Sequence, residues 1–254
     1  MINKINIVRY DSEGHREQED IIVRELRANL IINGELYLSM MCLPEHFEEL
    51  AVGFMFSEGL IKSYEDIKNI NATCTGNIFV FTNEPIRVSK TEGRVVTSGC
   101  ANGTVNLSFL NEKNLQQLES DITFSYDTIV EMMQKFSKQS PIFIETGAVH
   151  SAALLFKDGT EIFFEDIGRH NAVDKLVGTA LMKKLPISEG VLLISGRISS
   201  EIALKTSRLG IPVLVSQSAP TSMSVAIAEK VNLTLVGFAR GRRFNVYTGA
   251  FRIN

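Results

Sequence analysis

The segment "EIFFEDIGRHNAVDKLVGTALMKKLPISEGVLLISG", residues 161–196, determines which fold class the sequence predicts. It begins with a strand-like stretch and ends with "GVLLISG", a continuous apolar run of the kind that forms a buried strand. Between them, apolar residues recur at helical spacing and share one helix face: Val173, Leu176, Val177 and Ala180. A strand, a helix and a second strand in this order predict a βαβ unit, which is characteristic of α/β proteins.

The same alternation extends on both sides of this segment. Upstream, "AVHSAALLFKDGTEIFFEDIG" predicts two strands joined by a turn at Asp158 and Gly159. Downstream, capped helices alternate with strands through residues 199–249, in "SSEIALKTSRLG", "IPVLVSQSAP", "TSMSVAIAEKVN" and "LTLVGFARGRRFNVYTG". We therefore expect a largely parallel sheet with helices packed against it.

The N-terminal part of the chain carries a different pattern. Residues 1–20 are polar and charged, and we expect a strand plus a loose tail there. The stretch "ELRANLIINGELYLSMMCLP" predicts a β-hairpin that turns at Asn33 and Gly34. In "EHFEELAVGFMFSEGLI" the apolar residues follow helical spacing, and Gly59 ends the helix.

Short strands are predicted at residues 78–82 and near Val95, and a helix is predicted over residues 110–140. This change of pattern along the chain indicates two parts. We expect an N-terminal α+β lobe over residues 1–115 and an α/β domain over residues 116–254.

Composition narrows the class of protein. Apolar residues make up 44% of the 254 residues and charged residues 22%, as in ordinary globular proteins. No apolar run approaches the roughly 18–20 residues of a membrane-spanning helix. The three cysteines, Cys42, Cys74 and Cys100, are widely spaced, which argues against a disulfide framework and for a reducing compartment. We therefore expect a cytoplasmic protein, and its net charge of −3 provides no general attraction for nucleic acids.

Polar turns follow several of the predicted strands. In open α/β sheets, ligands bind beyond the carboxyl ends of the strands. Three segments should meet there: "EDIGRHNAVDK", "ISGRISSE" and "SQSAPTSMS". Ser195, Gly196 and Arg197 in the second segment could hold an anion at a helix N-terminus. The hydroxyl groups could instead serve as helix caps, and the sequence leaves both roles open.

A basic turn lies near the C-terminus, in "FARGRRFNVY". Guanidinium groups bind phosphates in a bidentate manner, and neighbouring aromatic rings can stack on a flat base. A small anionic ligand fits this net acidic protein better than a nucleic acid does. The alternative is a solvated turn with ordinary core aromatics. The candidate ligand-binding residues are Phe238, Ala239, Arg240, Gly241, Arg242 and Arg243.

His170 has no metal-binding partner at a recognisable spacing. The chain contains neither a Cys-x-x-Cys nor a His-x-x-x-His motif, and the other histidines are distant in sequence. We expect no metal site, and a structural or substrate-positioning role for His170.

Cys100 lies in the loop "TSGCANG", which offers no aliphatic neighbours to bury a thiol. An exposed thiol is a liability unless the protein uses it, and its reactivity depends on nearby cations and helix ends. A thiol on a loop suits a carrier that receives a sulfur atom from one partner and releases it at another site. The alternative is an incidental surface cysteine.

Several of these motifs together resemble the FdhD family of formate dehydrogenase accessory proteins, also called FdhD/NarQ sulfurtransferases. The resemblance covers about residues 20–254 and rests on "NLIINGELYLSMMCLPEHFEELAVGFMFSEGLI", "TGAVHSAALLF", "EDIGRHNAVDKLVG", "LLISGRISSEIALKTSRLGIPVLVSQSAPTSMSVAIAEKVNLTLVGFARGRRFNVYTG" and the "TSGC" loop. It implies that a cysteine desulfurase passes sulfur to Cys100 as a persulfide. The protein then delivers that sulfur to the molybdenum (or tungsten) bis-guanine-dinucleotide cofactor before the cofactor enters formate dehydrogenase.

The resemblance also implies which residues bind the cofactor and which fold holds them. The family's C-terminal cofactor-binding segment maps onto residues 238–243, and members are expected to form homodimers. The implied fold is a three-layer α/β/α sheet like that of cytidine deaminases. Zinc deaminases need a His-x-Glu and a Pro-Cys-x-x-Cys motif. At the position of the first motif this chain has His170, Asn171 and Ala172, and at the position of the second it has Arg197 and serines. We therefore expect neither zinc nor deaminase activity.

One departure from the family concerns the thiol. Some members carry a Cys-x-x-Cys pair in this loop, whereas Gly103 stands three residues after Cys100 here. A mechanism that needs an internal disulfide is therefore in doubt, although one nucleophilic sulfur is sufficient for persulfide transfer. Two alternatives to a sulfur carrier stay open at this point: a guanine-dinucleotide-binding chaperone without sulfur chemistry, and a degenerate zinc deaminase.

Overall fold

The computed structural model describes residues 1–86, 94–96, 104–106 and 117–254. The largest sheet in these ranges has six strands: β9 (His150–Phe156), β10 (Glu161–Asp166), β11 (Gly190–Ile194), β12 (Val213–Ser216), β13 (Thr234–Arg240) and β14 (Arg243–Thr248). Their order across the sheet is β10-β9-β11-β12-β13-β14. Strand β12 pairs in parallel with β11 and β13, and the other three pairings are antiparallel.

The expectation of a largely parallel sheet was therefore wrong. The two strands of the predicted βαβ unit, β10 and β11, run in the same direction, but β9 lies between them and is antiparallel to both. The short connections from β9 to β10 and from β13 to β14 leave no room for a crossover, so these neighbours must be antiparallel. The predicted turn at Asp158 and Gly159 forms the first of these connections.

Helices cover both faces of this sheet. Helices α4 (Arg169–Met182), α5 (Ser200–Arg208) and α6 (Ser222–Lys230) pack on one face, and α2 (Tyr126–Lys138) packs on the other. Alternate residues of each strand enter the two cores: Leu192 of β11 packs beneath α4 to α6, and Leu193 packs beneath α2. The mixed α/β class and the three-layer arrangement are confirmed.

Among the described residues, the N-terminal part forms three smaller sheets, one of four strands and two of two strands. A four-stranded sheet contains β3 (Leu26–Ile32), β4 (Glu35–Cys42), β5 (Ile67–Ala72) and β6 (Asn77–Thr82), in the order β4-β3-β6-β5. The predicted hairpin turn joins β3 to β4, and Asn33 and Gly34 both have positive φ. Residues 1–23 form a regular hairpin of β1 (Ile2–Asp11) and β2 (Gly14–Val23), so the expected loose tail was wrong.

Two further helices and two further strands belong to the described chain. Helix α1 (Phe47–Ser57) packs on the four-stranded sheet, and the short helix α3 (Pro141–Thr146) precedes β9. Strands β7 (Arg94–Val96) and β8 (Thr104–Asn106) pair antiparallel. The division of the chain into lobes at residue 115 stays a prediction.

The predicted helix over residues 110–140 is shorter in the structure, where α2 begins at Tyr126; residues 107–116 lie outside the described ranges. The N-cap is Ser125, whose hydroxyl accepts the N–H of Thr128 at 3.1 Å. Residues 117–125 do not join the helix, because Phe124 pairs with Ile253 of the C-terminus.

Helices α1 and α4 cross in backbone contact. A β-carbon added to Gly53 of α1 would lie 1.8 Å from the carbonyl oxygen of Asp174, and one added to Gly178 of α4 would lie 1.9 Å from that of Glu49. A glycine therefore stands on each helix where the other helix passes. This crossing joins the N-terminal part to the six-stranded sheet.

A buried polar network accompanies the crossing. Asp174 of α4 accepts the hydroxyl of Ser57 at 2.8 Å and pairs with Lys205 of α5 at 2.6 Å. Asp166, at the end of β10, pairs with Lys175 at 2.8 Å, and both side chains are fully buried. Only the hydrogen bond from Ser57 crosses from α1 to α4 in this network; the two ion pairs hold α4 to α5 and to β10. A buried charge that loses its partner is strongly destabilising, so the ion pairs fix the position of α4 against these two elements.

We expect Gly178→Ala to destabilise the protein by roughly 1–3 kcal/mol, or more where the rigid backbone of α1 cannot move away. Chemical denaturation measures the change in the free energy of unfolding. Glu131→Ala on the exposed side of α2 is the control and should stay within about 0.5 kcal/mol. Equal stability of the two variants would contradict the close crossing.

Candidate functional site

The carboxyl ends of β11, β12 and β13 lie side by side and carry three neighbouring turns. Main-chain hydrogen bonds join these turns. The N–H of Ile198 donates to the carbonyl of Ala219 at 3.0 Å, and the N–H of Phe238 donates to that of Ser218 at 3.0 Å. The structure therefore brings the predicted turn around Arg197 and the predicted basic turn to the same edge of the sheet.

Buried hydroxyl groups hold the first two turns together. Ser216 donates to the carbonyl oxygen of Gly196 at 2.6 Å and accepts the N–H of Ser218 at 2.9 Å. Ser195 accepts the N–H of Ser151 at 2.9 Å. Ser195 and Gly196 thus have structural partners, whereas Arg197 is exposed at the surface.

The serine and threonine residues that begin α5 and α6 act as helix caps. Ser199 accepts the N–H of Ile202 at 3.4 Å, and Thr221 accepts that of Ser224 at 3.2 Å. The capping role that the sequence left open is therefore filled by these two hydroxyl groups.

The basic turn between β13 and β14 is strained. Phe238 has a φ of +52°, in the left-handed region that a bulky residue rarely adopts. The ladder between the two strands shifts register between Gly237 and Arg240, which marks a β-bulge. The side chain of Phe238 is 43% exposed, while that of Ala239 is only 3% exposed and packs against the core beneath α2.

Gly237 permits a close approach next to this bulge. A β-carbon at Gly237 would lie 3.0 Å from both the ring of Pro220 and the ring of Tyr247. Tyr247, 37% exposed, thus lies against the strand backbone one residue before Phe238. Backbone strain and exposed aromatic rings together are typical of a binding site rather than of a plain turn.

The three predicted arginines surround the turn and are exposed. The Nε of Arg240 donates to the main-chain oxygen of Gln217 at 2.8 Å, and Arg243 lies opposite Arg240 in the ladder. Arg242 lies 3.3 Å from the carboxylate of Asp127 in an exposed ion pair, and its carbonyl oxygen accepts the hydroxyl of Tyr126. This arrangement presents several positive charges to solvent beside aromatic rings, which suits a phosphate-containing ligand with a flat ring.

His170 is buried at the start of α4 and lies 2.7 Å from the carboxylate of Glu201 in α5. Burial lowers the pKa of His170, although Glu201 opposes the shift. His150 lies nearby, with its Nδ1 3.5 Å from the hydroxyl of Ser195, and burial lowers its pKa as well. The sequence predicted that the segments holding His170 and Glu201 meet at the sheet edge, but it did not reveal that these two side chains pair or that His150 lies beside them. The role of His170 stays a prediction.

No group of three or more histidine, cysteine or acidic side chains that could hold a metal ion occurs among the residues that the structure describes. Within the same part of the chain, no helix is long and apolar enough to cross a membrane.

The three thiols differ in their surroundings. Cys42 is buried beneath α1, and burial, with a further contribution from Asp166, raises the pKa of its thiol to about 12. Cys74 is exposed in the turn between β5 and β6. Cys100 lies between β7 and β8 in the chain, within residues 97–103, which are outside the described ranges. The predicted role of Cys100 therefore stays a prediction.

Comparisons with known proteins give a consistent result. The sequence model of the FdhD/NarQ family matches residues 23–254. The sulfur carrier protein FdhD of Wolinella succinogenes is 38% identical over 244 residues, which cover 94% of this chain and 84% of that relative. The protein of the same name from Listeria innocua is 36% identical over 260 residues and covers 100% of this chain and 99% of its own length.

A solved structure also matches the whole fold. The crystal structure described as a formate dehydrogenase accessory protein from Desulfotalea psychrophila superposes with a TM-score of 0.83 and 28% sequence identity. The superposition covers 100% of this chain and 99% of that one. The likeness to cytidine deaminases stays a prediction.

The strain at Phe238 has a measurable consequence. Alanine is normally better than glycine in a strand by about 0.5–1 kcal/mol, but a left-handed residue with a β-carbon costs about 1–2 kcal/mol. We expect Phe238→Gly to be more stable than Phe238→Ala in thermal unfolding, the reverse of the usual order. The matched pair Asn245→Ala and Asn245→Gly in β14 should show the usual order. The usual order at both positions would contradict the strained conformation.

The Cys42 thiol makes stability depend on pH. Because its pKa is raised from about 9 to about 12, it stays protonated in the folded state where the unfolded chain ionises. The contribution of the thiol to the free energy of unfolding is complete below pH 9. Above pH 9 it falls by about 1.4 kcal/mol for each pH unit, because only the unfolded chain ionises there. Denaturation between pH 8 and 10 should show a steeper loss of stability for the unaltered chain than for Cys42→Ala. Parallel curves would contradict the raised pKa.

Proposed function

Since the chain belongs to the FdhD/NarQ family, we propose that it is a sulfur carrier that serves formate dehydrogenase. Cys100 accepts sulfur from a cysteine desulfurase as a persulfide. The carrier then passes this sulfur to the molybdenum (or tungsten) bis-guanine-dinucleotide cofactor, its substrate, before the cofactor enters formate dehydrogenase.

The observation that best supports this substrate is the strained arginine turn. Its three arginines are exposed, and Phe238 and Tyr247 present aromatic rings beside them. A guanine dinucleotide carries a diphosphate and a flat purine ring, so one end of it suits the guanidinium groups and the other suits the aromatic rings. Arg197 at the neighbouring turn extends the positive edge toward the N-terminus of α5.

The proposed sulfur step needs a single thiol. The thiolate of Cys100 attacks the terminal sulfur of the donor's persulfide, a sulfur–sulfur bond forms, and the donor's cysteine leaves as a thiolate. The sulfur atom changes its carrier without net oxidation or reduction. A second cysteine in the loop is not required for this exchange, which fits the glycine at position 103.

Cys74 determines how the proposal must be tested. Because this thiol is exposed, it can be modified in solution and could be mistaken for the carrier. Cys42 is buried and its raised pKa suppresses the reactive thiolate. Cys74→Ser is therefore the matched control for Cys100→Ser.

The decisive experiment is mass spectrometry after incubation of the chain with a cysteine desulfurase and cysteine. We expect an added mass of about 32 Da, one sulfur atom, on the peptide that contains Cys100. The adduct and the activation of formate dehydrogenase should both persist in Cys74→Ser and disappear in Cys100→Ser. Activation that survives Cys100→Ser would instead support a cofactor-binding chaperone without sulfur chemistry.

A second pair of variants separates loading from delivery. Exchange of Arg242 and Arg243 for glutamate should leave the adduct on Cys100 intact but strongly reduce activation of formate dehydrogenase. The control exchanges Arg9 and Arg16, an exposed cross-strand pair of the N-terminal hairpin, and should change neither step. Full activation by the Arg242 and Arg243 variant would contradict the proposed role of the turn.

A further inference from the structure

A second group of basic side chains lies at the same sheet edge, beside β9 and β11. Strand β9 is antiparallel to both of its neighbours, so its first residue, His150, lies where β10 and β11 end. Arg169 follows β10, and Arg197 follows β11. These three residues, which we call the edge cluster, therefore meet although they are distant in the chain.

The side chains of the edge cluster converge on the backbone of Gly196. A β-carbon at Gly196 would lie 3.2 Å from the Cδ of Arg169 and 3.5 Å from the Nδ1 of His150. The same nitrogen of His150 lies 3.5 Å from the hydroxyl oxygen of Ser195. His150 and Arg169 are half-buried, and Arg197 is exposed. The edge cluster thus joins two partly desolvated basic groups to one that reaches solvent.

Helix α4 begins at the edge cluster without the usual acidic residues. Its N-cap is Gly168, which has no side chain to accept a main-chain N–H, and its first turn contains no acidic residue. The helix starts instead with Arg169 and His170. Because the N-terminus of a helix carries partial positive charge, this arrangement favours an anion at that end of α4.

The carboxylates nearest to the edge cluster already have basic partners. Asp166 pairs with Lys175 at 2.8 Å and accepts the N–H of Gly168 at 3.0 Å. Glu201 pairs with His170 at 2.7 Å. Both carboxylates therefore balance basic groups in the interior.

His170 adds a buried nitrogen with unused hydrogen-bonding capacity. The residue is 7% exposed, and its Nε2 faces Glu201. Its Nδ1 is buried and has no hydrogen-bond partner among the residues that the structure describes. A buried polar atom without a partner is unfavourable in a native protein, and a ligand can provide the partner.

The electrostatic surroundings of His150 show that these groups act together. Burial lowers the pKa of His150, and three neighbouring charges lower it further, those of Arg169, His170 and Arg197. Asp166 acts in the opposite direction. Basic neighbours thus outweigh the acidic one. A bound anion would reverse this balance, because it favours the protonated imidazole.

We propose that the edge cluster binds a small tetrahedral oxyanion, such as a phosphate group, at a site separate from the arginine turn. Arg169 and Arg197 pair with two of its oxygens, and His150 donates a hydrogen bond to a third. Three strand spacings, about 14 Å in total, separate β9 from β13, so one phosphate group does not contact both sites. The inference goes beyond the proposed function and does not depend on sulfur loading.

Histidine NMR on the unaltered full chain tests the site with inorganic phosphate as the probe. Phosphate should raise the pKa of His150 and leave that of His15 unchanged, because His15 is exposed in the N-terminal hairpin. Ribose 5-phosphate is the second probe. The same rise with both probes assigns the site to phosphate groups of larger ligands, whereas a response to inorganic phosphate alone assigns it to a free oxyanion.

Two matched variants attribute the effect to the edge cluster. Arg197→Gln removes an exposed guanidinium and should weaken phosphate binding, read from the His150 signal during titration, by about tenfold or more, as expected for a lost hydrogen bond between charged groups. Arg243→Gln makes the same change at the arginine turn and should leave the response of His150 intact. Because both positions are exposed, neither replacement disturbs the core.

Two results would overturn the inference. One is an unchanged pKa of His150 when phosphate is added to the unaltered chain. The other is a response that Arg243→Gln abolishes and Arg197→Gln preserves, which would place the anion at the arginine turn. Neither result bears on the carrier role, because the adduct on Cys100 is measured without phosphate. Loss of that adduct with an intact response of His150 would reject the sulfur carrier and leave the oxyanion site in place.

Discussion

The rest of the structure depends on the backbone contact between α1 and α4. Gly53 and Gly178 each leave space for the main chain of the other helix, and no other residue type fits without displacing a carbonyl group. Because the helices touch, Asp174 can accept the hydroxyl of Ser57 while it pairs with Lys205. The core of the N-terminal sheet thereby connects to the core beneath the six-stranded sheet. At the start of the same helix, His170 pairs with Glu201 of α5.

The candidate site differs from this crossing, because it consists of short turns with a strained backbone and not of closely packed helices. Hydrogen bonds such as that from Ser216 to Gly196 join the three turns at the carboxyl edge. The β-bulge and the left-handed conformation of Phe238 turn an aromatic ring toward solvent beside three arginines. Helix α2 supports this turn from the other face of the sheet. Rigid packing in one part of the molecule therefore allows a strained, charged edge in another.

Burial gives the thiols of Cys42 and Cys74 different reactivity. Cys42 lies under α1, where its thiolate is strongly disfavoured, so the thiol behaves as a small apolar side chain. Cys74 is exposed but lies on the N-terminal sheet, in the turn between two of its strands. Sulfur transfer in this family member is proposed for Cys100, and the short strands on either side of it in the chain pair with each other. The structure thus distinguishes a buried thiol from an exposed one, and the carrier role of Cys100 stays a proposal.

The sequence by itself determined the mixed α/β class, the positions of most helices and strands, and the turns at Asn33–Gly34 and Asp158–Gly159. These features depend on local periodicity and on the backbone preferences of a few residues. Both can be read from neighbouring positions in the sequence. It also marked the arginine segment as a candidate ligand-binding site, because guanidinium groups suit phosphates. Only the tertiary structure decided that β9 separates β10 from β11, that Gly53 and Gly178 mark a helix crossing, and that His150 lies beside Arg169. Each of these depends on residues that are distant in the chain, and periodicity reports which face of an element is buried but not which element covers it.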